Sequence, residues 1–186
     1  MKRRSFSGLR FNTQGFTLLE LIVVMALIGV LFAIAAPNWV AFLNQQRVGA
    51  ARNQVSQAMR TAQAEAKRTK INRAVVFENN NNQPRYAIVP APGNVVNLSN
   101  VNWQNLGDGT LQAGLIRLSG NHGTDSSRPA SIIFDSYGSV VTSALPSPLP
   151  YRITIGATSS TNPRRCVNVT TLLGAIEENS NQECDN

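Results

Sequence analysis

Gly15-Phe16-Thr17-Leu18-Leu19-Glu20 runs straight into Leu21–Ala36, LIVVMALIGVLFAIAA, a stretch without a single charge. Four basic residues, Lys2, Arg3, Arg4 and Arg10, precede Gly15, and no acid accompanies them. The span from Leu21 to Leu43 makes about 35 Å of helix at ~1.5 Å per residue. That is enough to cross a hydrocarbon core of ~30 Å with some tilt. The segment is apolar on every face, which fits lipid or neighbouring helices better than a soluble core. Gly29 and Pro37 would weaken a soluble helix but are tolerated in membrane helices. Basic flanks stay in the cytoplasm, so the bulk of the chain is expected outside. Glu20 stands at the mouth of this span, where a carboxylate is costly and is a functional candidate by default.

These residues closely resemble the class III signal of type IV prepilins and type II secretion pseudopilins. The carriers are Gly15, the aromatic Phe16, Thr17, Leu18, Leu19 and Glu20, followed by the apolar run. The resemblance implies that a prepilin peptidase cuts between Gly15 and Phe16 and N-methylates Phe16. It implies an assembly role for Glu20, and it matches Pro37 to the proline near the end of the family's membrane span. The implied fold is α+β: a long N-terminal helix, half membrane and half amphipathic, packed on an antiparallel β-sheet head. The expected parts are a cleaved leader (1–15), a transmembrane and assembly helix (16–43) and an extracytoplasmic head (44–186). The implied partners are other pilin or pseudopilin subunits, the peptidase, an inner-membrane assembly platform, and membrane lipid before assembly. The expected location is a bacterial inner membrane, crossed once with the head periplasmic, and then a pilus or pseudopilus.

The charge distribution agrees with this arrangement. The chain of 186 residues carries 17 basic and 10 acidic residues, net +7. Without the four leader cations, 13 basic residues face 10 acids, net +3. Most of the excess is therefore an orientation signal rather than a nucleic-acid-binding arm. Ala33-Ile34-Ala35 fits an ordinary signal-peptidase site, but Glu20 interrupts the start of the apolar region, and the span is long for such a signal. Cys166 and Cys184 both fall in the predicted extracytoplasmic part, where an oxidising compartment favours pairing over two buried thiols. Two cysteines and one distant histidine form no metal-ligand cluster, and no cofactor is expected.

Periodicity carries the helix further. Val48, Ala51, Val55, Ala58, Met59, Ala62 and Ala66 recur at three- and four-residue steps, one apolar stripe on an amphipathic helix. One helix is expected from about Thr17 to Thr69, with a kink near Pro37. Strands follow. Ala74–Phe77 and Tyr86–Val89 read as a hairpin around the polar loop Asn79–Asn82. Further strands are expected in Gln112–Ser119, in a pair formed by Ser131–Phe134 and Gly138–Thr142, and in Tyr151–Ile155. Cys166–Thr170 reads as the penultimate strand and Leu172–Ile176 as the last. Asn179–Asn186 reads as a polar tail held only by the proposed disulfide. A long helix followed by many strands indicates an α+β domain.

Ile132-Ile133-Phe134-Asp135 with Tyr137-Gly138, and Arg165–Val169 with Leu173-Gly174, are similar to the head of the GspH/FimT/FimU minor pilin group. Some members bind DNA through a basic stretch after the terminal glycine. Here Gly174 is followed by Ala175-Ile176-Glu177-Glu178, which argues against that activity. The leading expectation is thus a minor pilin or pseudopilin that helps initiate or cap a filament. A DNA-binding minor pilin of a natural-transformation pilus is the alternative, so nucleic acid is an unfavoured partner. Lys67, Arg68, Lys70 and Arg73 read first as cations offsetting a helix C-terminus. Arg164 and Arg165 beside Cys166 form a second small patch, which with Arg85 or Arg152 could make a phosphate-tracking groove. His122 with Asp125 and Ser126 or Ser127 lies in one loop of turn-forming residues, so an enzyme is not expected.

Cleavage after Gly15 would create a cationic amine on Phe16. At ~4 Å such an amine and a carboxylate attract by about 4 kcal/mol at an effective dielectric near 20. Desolvation offsets much of that. The pairing of Glu20 with a neighbour's new terminus would chiefly set the register of assembly.

Overall fold

The computed structural model describes residues 15–107, 113–121, 124, 129–145, 148–158 and 163–184, without the side chains of 35–38. Compactness divides the chain into two units, 1–41 and 42–186. A single helix, α1 (Leu18–Thr69), contributes to both.

In the second unit α1 presents its stripe. Val48, Ala51, Val55, Ala58, Met59, Ala62 and Ala66 are all buried. Two four-stranded antiparallel sheets supply the other side of the core. The first has the order β3-β2-β1-β5, built from β1 (Arg73–Asn80), β2 (Gln83–Pro90), β3 (Gln104–Asn105) and β5 (Ala130–Phe134). The second has the order β4-β6-β7-β8, from β4 (Ile116–Gly120), β6 (Tyr151–Ala157), β7 (Arg164–Val169) and β8 (Ile176–Ser180). Side chains alternate across a strand. Val75 and Phe77 of β1, Ile153 and Ile155 of β6, and Val167 and Val169 of β7 therefore join the helical stripe in one cluster. Ala74 and Val76 point the other way, into a smaller cluster with Ala87, Val89, Ala91 and Ile133.

The first hairpin is tighter than the sequence suggests. β1 runs through Asn79 and Asn80, leaving Asn81 (φ 50°) and Asn82 (φ 61°) as a two-residue turn. Asparagine tolerates two successive left-handed conformations of this kind. Asn79 is held in the strand by long-range bonds. Its side-chain amide donates to the Leu118 carbonyl (2.8 Å) and accepts from the Leu118 N–H (3.0 Å), imitating a strand pair between the two sheets.

Three further expectations need correction. Gly138–Thr142 is not a strand. After a turn closed by Asp135 Oδ1, which accepts from the Tyr137 and Ser139 N–H groups, only Val140 bridges to Phe134. Thr142–Ala144 is then a 3-10 turn. Leu172–Ile176 is not the last strand either, because a turn with Gly174 at φ +76° occupies it and β8 begins at Ile176. The tail after Asn179 is tied by more than the cysteines. Asn179 and Ser180 pair with β7, and Asn181–Cys184 forms a 3-10 turn. The fourth strand begins at Ile116, while Gln112, where that strand was expected to start, lies outside the described residues. So do His122, Asp125, Ser126 and Ser127, and the leader cations Lys2, Arg3, Arg4 and Arg10.

Candidate functional site

Gly15, Phe16 and Thr17 lead into α1, and Phe16 is 83% exposed. Thr17 occupies the N-cap position. Its Oγ1 accepts the Glu20 N–H at 3.2 Å, and its carbonyl accepts the Leu21 N–H at 3.2 Å. This satisfies an otherwise orphaned first-turn donor. Thr17-Leu18-Leu19-Glu20 has the spacing of a capping box, with the acid at the third helical position. Glu20 also stands where the helix dipole favours negative charge. The motif therefore has a local role in the helix itself. It starts the helix at a fixed residue and holds an exposed carboxylate in its first turn.

Beyond Glu20 the apolar side chains find no intramolecular cover. Leu21, Ile22, Met25, Leu27, Leu31, Phe32 and Ile34 are all more than half exposed. The eighteen-residue window that marks this helix as a membrane candidate contains no buried residue. Gly29 has no neighbouring atom within 4 Å of where a Cβ would stand. A continuous apolar surface of this extent needs lipid or other helices around it. Pro37 lies within α1, and its side chain is outside the described residues.

In the head, the two short sequence patterns that suggested a subgroup meet at one side chain. Gln63 on α1 donates to the Gly138 carbonyl at 2.8 Å and reaches the carbonyls of Gly174 (3.2 Å) and Leu173 (3.3 Å). The Val140 N–H donates to the Leu172 carbonyl, which locks the two turns side by side. A methyl group at Gly174 would lie 2.8 Å from the Gly138 oxygen, so the close approach and the positive φ both require glycine there. No periodic or compositional signal marks Gln63, because its role depends on two turns far away in the chain.

Cys166 of β7 is bonded to Cys184, with Cα atoms 5.7 Å apart. Arg152 supports this corner by donating to Asn168 Oδ1 (3.2 Å) and to the Cys184 carbonyl (3.3 Å). Other candidate cations are also engaged within the head. Arg85 makes an ion pair with buried Glu78 and stacks over Trp103 at 4.5 Å. Arg73 lies 3.6 Å from Glu65, and Lys70 sits over the Tyr137 ring at 5.6 Å. Arg85 and Arg152, either of which was expected to join Arg164 and Arg165 in a phosphate-tracking groove, are thus engaged with internal partners.

Comparison with known proteins follows the same division. Residues 10–36 match the family model described as the prokaryotic N-terminal methylation motif. The type IV major pilin protein PilA of Myxococcus xanthus is 45% identical over 56 residues, 29% of this chain. The chain spans a quarter of that protein's length. A crystal structure of the type IV minor pilin FimU of Pseudomonas aeruginosa superposes with a TM-score of 0.52 at 14% identity, covering 77% of this chain and 98% of that one. The minor pseudopilin EpsH from the type 2 secretion system of Vibrio cholerae gives 0.48 at 13% identity, over 72% and 97%. The N-terminal half of α1 thus carries the sequence likeness, and the head carries a likeness of fold. Together they show a prokaryotic N-terminal methylation motif at residues 10–36 and a fold similar to that of a type IV minor pilin.

Proposed function

We propose that this protein is a minor pilin or pseudopilin that helps to initiate or cap a type IV pilus or a type II secretion pseudopilus. Prepilin peptidase cuts between Gly15 and Phe16 and methylates the Phe16 amine. The observation that carries the reading is an uncovered apolar helix whose first turn holds one exposed acid, Glu20, four residues after the new terminus. The minor role is supported by the head's likeness in fold to a type IV minor pilin.

The mechanism follows from electrostatics. The Phe16 amine would stand at the positive end of its own helix dipole, which disfavours a second positive charge by roughly 0.3–1 kcal/mol. The Glu20 carboxylate of an adjacent subunit relieves that strain when helices pack away from water. Burying either charge alone costs several kcal/mol, so mismatched registers are rejected. Before assembly the apolar half of α1 rests in the inner membrane, with the basic leader in the cytoplasm and the head in the periplasm.

Glu20→Gln separates this role from capping, because glutamine serves a capping box as well as glutamate does. We expect the variant to be processed normally, with a mature terminus at Phe16 by mass spectrometry, and to be lost from purified filaments. Normal incorporation would refute the charge-pairing mechanism. Gly15→Leu should leave the leader attached. The minor role predicts that deletion reduces filament number while the protein is a trace component of filaments; abundance as the main subunit would refute it.

A further inference from the structure

The two sheets have four outer edges, and three of them are very short or partly covered among the described residues. β3 is only two residues long. β5 is capped by the Val140 bridge to Phe134 and by the Val141 N–H on the Ile133 carbonyl. β4 is stitched to β1 by the Asn79 side chain on both backbone groups of Leu118. The fourth edge, β8, is different. The Thr170 N–H donates to the Ala175 carbonyl, so Ala175, Glu177 and Asn179 turn their backbone groups toward β7. In an antiparallel ladder the alternate residues then face outward. The N–H and C=O of Ile176 and Glu178 and the N–H of Ser180 therefore form an open edge, and no described backbone group outside the strand bonds to them. The disulfide does not cover it. Cys184 is drawn to Cys166 on β7, and Arg152 holds the Cys184 carbonyl from β6.

The charge of this edge is also distinct. Residues 166–186 contain four acids, Glu177, Glu178, Glu183 and Asp185, and no lysine or arginine, in a chain of net charge +7. Glu178 is anchored by Arg52 of α1 at 3.2 Å, and Glu177 is exposed beside the open backbone groups. Long unpaired edges invite a strand. A second copy is a poor occupant, because the fully overlapping two-fold register opposes Glu178 to itself, and like charges directly opposite destabilise a pair.

We infer that the outer edge of β8 binds an extended, lysine- or arginine-bearing strand from the head of a different pilin-like subunit, its basic side chain opposite Glu177. Main-chain hydrogen bonds supply the affinity of such strand addition, and the acid supplies its selectivity. The inference rests on the assembly reading above and names the surface and the partner's chemistry.

The test uses the full-length protein in its native envelope, with a photoreactive benzophenone amino acid at Ser180 and, separately, at Met25 on the apolar half of α1. The expected result is one heterologous adduct at Ser180 whose cross-linked peptide is a basic, extended segment of another pilin-like subunit. Glu178→Pro removes an outward N–H without touching the β7 ladder and should reduce that adduct at least about tenfold. Glu178→Ala, which loses only the Arg52 pair, should change it by no more than about twofold. Glu177→Lys should lower it by about two- to fivefold. Disulfide formation and protease resistance confirm that each variant is folded. An adduct to a second copy of this chain, an adduct indifferent to Glu178→Pro, or none at Ser180 while Met25 still cross-links would overturn the inference. Loss of adducts at both positions in the unsubstituted protein would overturn the assembly reading, and this inference with it.

Discussion

Met25 and Met59 lie on one helix with opposite surroundings. Met25 is 61% exposed and Met59 is fully buried. The contrast extends to whole segments. Leu21–Ile34 is apolar on every face and uncovered, whereas the later half buries a single stripe and leaves Gln57, Arg60, Ala64 and Arg68 exposed. Apolar content does not decide which half is covered. The angular distribution of apolar residues does: a one-sided stripe can be satisfied by its own chain, and an all-round surface can be satisfied only by something else. The division between what the head covers and what needs outside cover is thus written along one helix.

The largest expected effect tests that division directly. Met59→Ala should destabilise the head by about 2–5 kcal/mol through lost contacts and a cavity. Met25→Ala should leave head unfolding unchanged. Denaturant titration of the full chain in detergent micelles, followed by tryptophan fluorescence, measures both. Equal losses would mean that the apolar half also supports the head fold.

Removal of the disulfide comes next. Cys166→Ser with Cys184→Ser should cost about 3 kcal/mol in the chain-entropy model. The loss should appear in β7, β8 and the last turn by hydrogen exchange, with protection of Leu21–Ile34 in micelles unaltered. A smaller loss is expected at the clasp between the two turns. Gln63→Leu removes the donor shared by three carbonyls and should cost about 1–2 kcal/mol. Gln57→Leu, at an exposed site one and a half turns earlier, should be close to neutral. Similar effects at the two glutamines would deny the clasp its role.

How much of this was legible depended on the range of the interaction that decides each element. The seven-residue stripe from Val48 to Ala66 was readable because burial repeats with the helix itself. The Asn81-Asn82 hairpin was readable because turn chemistry is local. The ends of β1 were not, since Asn79 is held in the strand by Leu118, thirty-nine residues away. β8 was misplaced for a related reason. Ile176-Glu177-Glu178-Asn179-Ser180 has no apolar alternation, and only pairing with β7 makes it a strand. At the candidate site, Glu20 stood out by contrast with the apolar run, whereas Gly15 and Phe16 were marked only by the resemblance to the prepilin signal. The cap made by Thr17 has an equally local signal, a threonine three residues before a glutamate.

The smallest effect at neutral pH belongs to a group that only the head can influence. Tyr151 is completely buried, and burial pushes its phenol well above the ordinary tyrosine range. In the unfolded chain the same group ionises near pH ~10. The folded state keeps the proton where the unfolded state loses it, so unfolding is favoured increasingly as pH rises. The stabilisation is complete below about pH 10 and declines above it by up to about 1.4 kcal/mol per pH unit for this one group. Tyr151→Phe should therefore show a shallower fall in head stability between about pH 10 and 11 than the parent protein. A steep alkaline fall that survives the substitution would assign it elsewhere. The apolar half of α1 between Leu21 and Ala36 has no titratable side chain, so its helix content in micelles should not change over the same range. An alkaline transition in that half would show that the two parts of the helix are energetically coupled, contrary to their separate surroundings.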